Sequence, residues 1–216
     1  MNWDQIGNWF VMFLSGCGVA LEIFAVTLVC AIPLGVLLSF GRRSKYKVIS
    51  WPVSLYISIM RGTPLLLQLL FVYFAPKYMF GLNYDRFLAA LIAFVLNYAA
   101  YFAEIFRSGI EAIPVGQHEA ASVLGYTRSQ TFVRIVLPQM MRIVLPPVTN
   151  EVITLVKDTS LAFALAYTEM FTLAKQIAAA NASIMPLFVA GVFYYIFNFV
   201  VAWVMETIEK KMRYYK

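Results

Sequence analysis

Ionisable side chains set inside long apolar stretches are where this sequence can do chemistry. Arg61 stands in one such stretch, Glu104 in a second, and Glu151 and Asp158 in a third. A charged group within a membrane span costs on the order of 2.5 to 3.5 kcal/mol on insertion scales, so it defaults to a pathway or a pairing role. Arg61 lies near the middle of its stretch, and its planar fork can hold a carboxylate through two parallel hydrogen bonds. Asp158 or Glu104 can accept from an ammonium group. Pairing Arg61 with Glu104 or Glu151 would instead make a buried ion pair that orients helices, and the residues alone leave both readings open.

Polar neighbours recur at helical spacing. Ser54, Ser58, Arg61 and Gln68 form one stripe, and Asn97, Tyr101, Glu104 and Ser108, spaced by four, three and four residues, form a second. Asn97 falls near mid-depth and Glu104 nearer one end, with Arg107 on the next turn as a possible partner for it. Asn150, Glu151 and Thr154 follow in a later apolar segment, which Lys157-Asp158-Thr159-Ser160 interrupts. Irregular backbone at such depth survives only where protein or a water-filled cavity covers it. Gly62-Thr63-Pro64 loosens the helix behind Arg61 and frees backbone groups to line a site. Two facing stripes make a polar cavity, with Ser58, Arg61, Thr63, Asn97, Tyr101, Glu104, Glu151 and Asp158 as candidate lining residues.

Bond-breaking chemistry finds no support. Thr159-Ser160 and the other serines lack a histidine base, since His118 is the only histidine. Cys17 and Cys30 sit in or beside the first apolar segment and read as packing residues, not as a disulfide framework or a thiolate metal site. No G-x-x-x-x-G-K-[ST] phosphate loop occurs, and Gly16-Cys17-Gly18 lacks the lysine that would reach phosphate. No catalytic residue, no metal ligand set and no cofactor are expected in this chain.

The elements that must hold these residues are membrane spans. Of 216 residues, 62% are hydrophobic and 13% charged, with mean hydropathy +0.75, whereas a soluble domain carries about 25% charged residues. Each crossing of a hydrocarbon core about 30 Å thick takes roughly 20 residues, so the length holds about five spans. Hydropathy places them at about Val19 to Phe40, Val53 to Ala75, Phe87 to Phe106, Ile143 to Val156 with an extension past it, and Met185 to Met205. Leu137-Pro138 and Leu145-Pro146-Pro147 are expected to interrupt the start of the fourth. Leu161 to Ala180 reads as a re-entrant or partly interfacial piece. The expected fold is an all-α integral membrane protein forming a single transmembrane domain over residues 1–216.

Charge predicts the orientation. Arg42, Arg43, Lys45 and Lys47 fall in the first loop, Arg107, Arg128, Arg134 and Arg142 around the third, and Lys210, Lys211, Arg213 and Lys216 at the end. The other side receives Lys77, Arg86, Lys157 and Lys175. Twelve against four puts the first loop, the third loop and the C-terminus in the cytoplasm and the N-terminus outside. Trp3, Trp9, Trp51 and the Tyr214-Tyr215 pair stand at or beyond span ends, where aromatic belts sit. Met1 to Phe10 carries Asp4 and no lysine or arginine, so the basic n-region of a cleavable signal peptide is missing. The formal charge of +6 is explained by cytoplasmic loops and by the Lys210-Lys211-Met212-Arg213 tail, an anchor at the lipid headgroups of the bilayer. No basic patch with interleaved aromatics lies outside the apolar segments, so nucleic-acid binding is not expected.

One polar stretch, from about Ser108 to Arg142, is too patterned for a linker, with helix-like pieces at Gly116 to Leu124 and Arg128 to Ile135. Within it, Glu119-Ala120-Ala121 is followed after three residues by Gly125, and after nine more by Ile135 and then Leu137-Pro138. Gly125 stands where a left-handed C-cap would end the short helix. Pro138 suits the first turn of the next span. Together with Met60-Arg61-Gly62-Thr63-Pro64-Leu65, Ala103-Glu104-Ile105-Phe106-Arg107 and Gln117-His118-Glu119, this spacing resembles the permease subunits of bacterial ATP-binding-cassette (ABC) importers with the EAA motif, in their polar amino-acid branch. The resemblance runs from about Val19 to the end of the chain.

The resemblance implies a type I importer permease in the bacterial plasma (inner) membrane, with Gln117, His118, Glu119, Ala120, Ala121 and Gly125 on a coupling helix that seats in a cytoplasmic ATPase. It implies as partners a dimer of ABC ATPase subunits carrying ATP and Mg, a second permease copy or homologue, and an extracellular or periplasmic amino-acid-binding protein. ATP binding would draw the paired coupling helices together and turn the path outward, and substrate loading outside would favour that closed state by reciprocal linkage. The cargo would be a polar amino acid with its carboxylate on Arg61. Glu22, Glu104, Glu151, Asp158 and Glu169 outnumber Arg61 and Lys157 across the spans, which leans the cargo toward arginine, lysine or histidine. Glu22 also suits a dimer contact. Another small polar solute such as glutamine is the alternative. A secondary transporter is a more distant one, because its paired halves need a longer chain.

Overall fold

Lipid gives the backbone no hydrogen-bond partners, so long apolar runs satisfy their own amides as helices. The computed structural model describes residues 3–83 and 85–212, with side chains in the first helix from Trp9 onward. Arg213, the Tyr214-Tyr215 pair and Lys216, and the side chains of Trp3 and Asp4, lie outside the described residues. The helices are α1 Trp3–Arg42, α2 Lys47–Gly62, α3 Leu65–Phe80, α4 Arg86–Glu111, α5 Val115–Val123, α6 Arg128–Thr131, α7 Leu137–Asp158, α8 Met170–Ala180 and α9 Met185–Met212. Among the described residues, four helical stretches, Trp9–Arg42, Arg86–Glu111, Arg128–Leu165 and Met185–Met212, are long and apolar enough to cross a membrane, and α2 with α3 makes a fifth when counted as one. The chain is an all-α membrane protein.

The core is built around α4, onto which α1, α2, α3 and α7 all pack. Ala89, Ala90, Ala93, Ala99, Ala100 and Ala103 of α4 are at most 1% exposed. Small residues matter here because lipid offers no hydrophobic drive between helices, and packing must come from close approach. At Gly35 of α1 an added Cβ would stand 2.7 Å from the Phe102 Cβ and 3.1 Å from the Ala99 carbonyl oxygen. The start of α4 is capped by Asp85, whose carboxylate accepts from the amides of Phe87 and Leu88.

Two expectations about continuity need correction. The second span is not a single helix over Val53 to Ala75: α2 stops at Gly62, and α3 leaves at 114° to it. Pro64 has no N–H and pushes the preceding residue out of the helical region, and Thr63 is extended at φ −121°, ψ 148°. The fourth span, conversely, is not interrupted at Leu137-Pro138 or at Pro146-Pro147, because helix runs from Arg128 to Leu165. A π-helical turn, Phe132–Val136, lets the Leu137 amide reach back to the Phe132 carbonyl, which widens the helix just before the proline ring. Past Asp158 the chain tightens into a 3₁₀ helix, Thr159–Leu165, that ends on Ala166 in the left-handed region at φ 51°. Leu161 to Ala180 thus divides into this 3₁₀ turn and α8, which packs against α1 and α9.

Candidate functional site

The break between α2 and α3 frees backbone carbonyls inside the bundle, and two buried amides take them up. Gln68 Nε2 donates to the Met60 carbonyl at 2.9 Å, the Thr63 carbonyl at 3.1 Å and Thr63 Oγ1 at 2.7 Å. Asn97 Nδ2, from α4, donates to the Met60 carbonyl at 3.2 Å and to Gln68 Oε1 at 2.9 Å. Gln68 therefore leaves the stripe of Ser54, Ser58 and Arg61 and serves the break. Thr63 and Asn97 do so too, while still lining a cavity.

The eight candidate interior residues all line one of two cavities that share the Tyr101 ring. A cavity of about 440 Å³ is lined by Arg42, Ser54, Ser58, Arg61, Tyr101 and Glu104. A second, of about 300 Å³, is lined by Thr63, Asn97, Tyr101, Glu151, Thr154 and Asp158. The Arg61 guanidinium lies over the Tyr101 ring, 5.4 Å from its centroid, a contact a cation favours. Among the described residues no carboxylate comes within 4.0 Å of Arg61. The alternative in which Arg61 pairs with Glu104 or Glu151 is thus not realised. Ser58, Arg61 and Thr63 remain exposed in the single chain.

Glu104 is engaged elsewhere. Arg107 grips it with two hydrogen bonds, from Nε at 3.0 Å and from Nη2 at 2.5 Å, and Arg42 Nε stands 3.4 Å away. Arg107 also holds Glu111, which Arg43 approaches at 3.9 Å. The C-terminal ends of α1 and α4 are thereby tied by alternating charge. Glu169, in the expected acid excess, is fully buried as the N-cap of α8. Its carboxylate accepts from the Phe171 and Thr172 amides, from Thr172 Oγ1 and from the Tyr194 hydroxyl. Tyr98 was not singled out by the sequence, where a tyrosine in an apolar run reads as packing. Its hydroxyl donates to Asp158 Oδ2 at 2.7 Å.

The polar stretch forms a hairpin of α5, α6 and the π turn. Gln117, His118, Glu119 and Ala120 are exposed on α5, while Ala121 is buried against the hairpin itself. Gly125, at φ 76°, ends the helix. Its amide donates to Ser122 and that of Tyr126 to Ala121, the paired bonds of a Schellman motif. Thr127 and Gln130 then form a capping box that starts α6. Sequence reasoning missed Val115, Val123 and Leu124, exposed at 70%, 88% and 73%. Apolar residues on so polar a loop were the available signal, and they suit a surface that another protein covers.

Comparison with known proteins matches residues 31–214 to the family described as binding-protein-dependent transport system inner membrane component. The arginine transport system permease protein ArtQ of Bacillus subtilis (strain 168) is 35% identical, covering 93% of this chain and 92% of that protein. The L-cystine transport system permease protein TcyB of the same organism is 36% identical, covering 99% of this chain and 92% of that protein. Among solved structures, a chain from the crystal structure of an amino acid ABC transporter with histidines superimposes with TM-score 0.89 at 27% identity, covering 98% of this chain and 99% of that one.

Proposed function

We propose, from the premise that this chain belongs to the family of binding-protein-dependent transport system inner membrane components, that it passes a polar amino acid through the membrane as part of an ATP-driven importer. The chain is a transport subunit and not an enzyme, and the ATPase is a separate subunit. The observation that carries the cargo assignment is the meeting of two opposite recognition groups at Tyr101. On one side stands Arg61, with no carboxylate within 4.0 Å among the described residues; on the other stand Glu151 and Asp158. A zwitterion needs both, a guanidinium fork for its carboxylate and acceptors for its ammonium.

The side chain of the cargo is a finer matter. Relatives named for arginine and for cystine are equally similar to this chain, at 35% and 36% identity, so similarity does not choose between them. Glu104 is neutralised by Arg107 and Arg42, and Glu169 is spent on a helix cap, which thins the acid excess. Glu151 and Asp158 remain in one small cavity, one carboxylate more than a single ammonium requires. That surplus favours arginine, lysine or histidine over glutamine.

The hairpin end of the bundle then faces the cytoplasm and the N-terminus faces outside. α5 presents Glu119 and the apolar Val115, Val123 and Leu124 to the ATPase, two copies of which bind two permease chains. A second permease copy or homologue covers the exposed face of Ser58, Arg61 and Thr63, and an external binding protein delivers the amino acid. Closure of the ATPase pair on ATP draws the two hairpins together and opens the path outward, and substrate arriving outside favours the same state. ATP-driven uptake into proteoliposomes, competed by a panel of amino acids and sugars, tests this. Competition by basic amino acids ahead of glutamine is expected, and uptake competed by sugars alone would overturn the assignment.

A further inference from the structure

We infer that Tyr98 is a positioning residue for recognition of the cargo's ammonium, acting through Asp158; this rests on the reading of the cavity given above. Tyr98 is only 2% exposed. Its hydroxyl crosses from α4 to the last residue of α7, donating to Asp158 Oδ2 at 2.7 Å. At that residue the α-helical ladder passes into the 3₁₀ turn Thr159–Leu165, so the local backbone alone is a poor guarantee of where the carboxylate points. A carboxylate accepts through both oxygens. With Oδ2 taken by the phenol, Oδ1 is left for the cavity that Asp158 lines.

The neighbouring residue makes the arrangement two-sided. Asn97 holds the Met60 carbonyl and Gln68 Oε1 at the α2–α3 break, and Met60 immediately precedes Arg61. Consecutive residues of α4, about 100° apart around the helix, therefore grip two different elements: Asn97 the α2–α3 break beside Arg61 and Thr63, Tyr98 the end of α7 that carries Asp158. Both residues sit in the packed middle of α4, where Asn97 is 4% exposed and Tyr98, Ala99 and Ala100 at most 2%. A guest with a fixed distance from carboxylate to ammonium reads the separation that this pair sets, and recognition groups discriminate only as well as their supporting contacts hold them. Glu151 and Thr154 on α7 and Tyr101 on α4 line the same cavity, and among the described residues the phenol of Tyr98 is the side chain that hydrogen-bonds the Asp158 carboxylate.

Tyr98→Phe removes the hydroxyl and keeps the buried ring. The permease is purified with its ATPase, without the external binding protein, as wild type, Tyr98→Phe, Asp158→Asn and the double variant. Affinities are measured for arginine and glutamine and for the α-hydroxy analogue of each, in which a hydroxyl replaces the ammonium. The preference for amino acid over α-hydroxy analogue is expected to fall about tenfold in Tyr98→Phe, as suits one hydrogen bond to a charged group. It should fall at least as far in Asp158→Asn, and no further in the double variant. Full preference in Tyr98→Phe with loss in Asp158→Asn would overturn the inference while sparing the cavity reading. Equal weakening of both ligands, or failure of Tyr98→Phe to assemble, would make Tyr98 structural and overturn it too. Full preference in Asp158→Asn would remove the cavity reading itself.

Discussion

At the scale of single residues, Arg61 and Glu104 were a matched pair of candidates in the sequence, and the structure gives them different work. Arg61 meets an aromatic face and no carboxylate, so Arg61→Ala should reduce ATP-driven uptake by roughly 100-fold while the ATPase still co-purifies with the permease. Glu104 holds Arg107 and Arg42 with side chains 21% to 29% exposed. Glu104→Gln should therefore cost about 1 kcal/mol of stability, read as a lowered melting temperature that differs less from wild type at high salt, since added ions screen such pairs. Arg107 was legible as a partner because it follows Glu104 by three residues. Arg42 was not, because it arrives from another helix, and no local spacing encodes that meeting. The same reason hides Tyr98, whose partner Asp158 is sixty residues away, and Gln68, whose place on a polar stripe assumed a helix that continues past Pro64.

At the scale of elements, what local chemistry dictates was readable. The helical spacing of Asn97, Tyr101 and Glu104 holds because α4 is one unbroken helix, and Gly125 adopts the left-handed conformation its place after α5 required. Proline was harder to read. At Pro64 the chain breaks, while at Pro138 a π turn absorbs the missing amide, and the difference lies in what surrounds each proline. Buried Gln68 and Asn97 stand ready to satisfy the carbonyls freed at the first. Close helix packing yields its own test. Gly35→Ala pushes a methyl into Phe102 and the Ala99 carbonyl and should cost about 1 to 3 kcal/mol as overpacking does. Gly18→Ala in the same helix meets nothing within 4 Å and should leave the melting temperature unchanged or slightly raised.

At the scale of the whole molecule, one chain encloses its polar groups on only part of their surface, and it carries no phosphate loop to drive movement. Both features follow from membership of a family of membrane components. Glu119→Lys, at an exposed position on α5, should release the ATPase on purification and stop ATP-driven uptake, with the permease still in the membrane. Val123→Asp should do the same through the apolar side of the surface. Whether the interior recognises the amino acid itself, and does not merely conduct what an external protein delivers, is decided by calorimetric titration of arginine into the purified permease–ATPase complex without that protein. Saturable binding to wild type, lost in Arg61→Ala and lost for the decarboxylated amine of arginine, is the predicted result. Binding of arginine that Arg61→Ala leaves unchanged, or no binding of any amino acid to the wild-type complex, would contradict it.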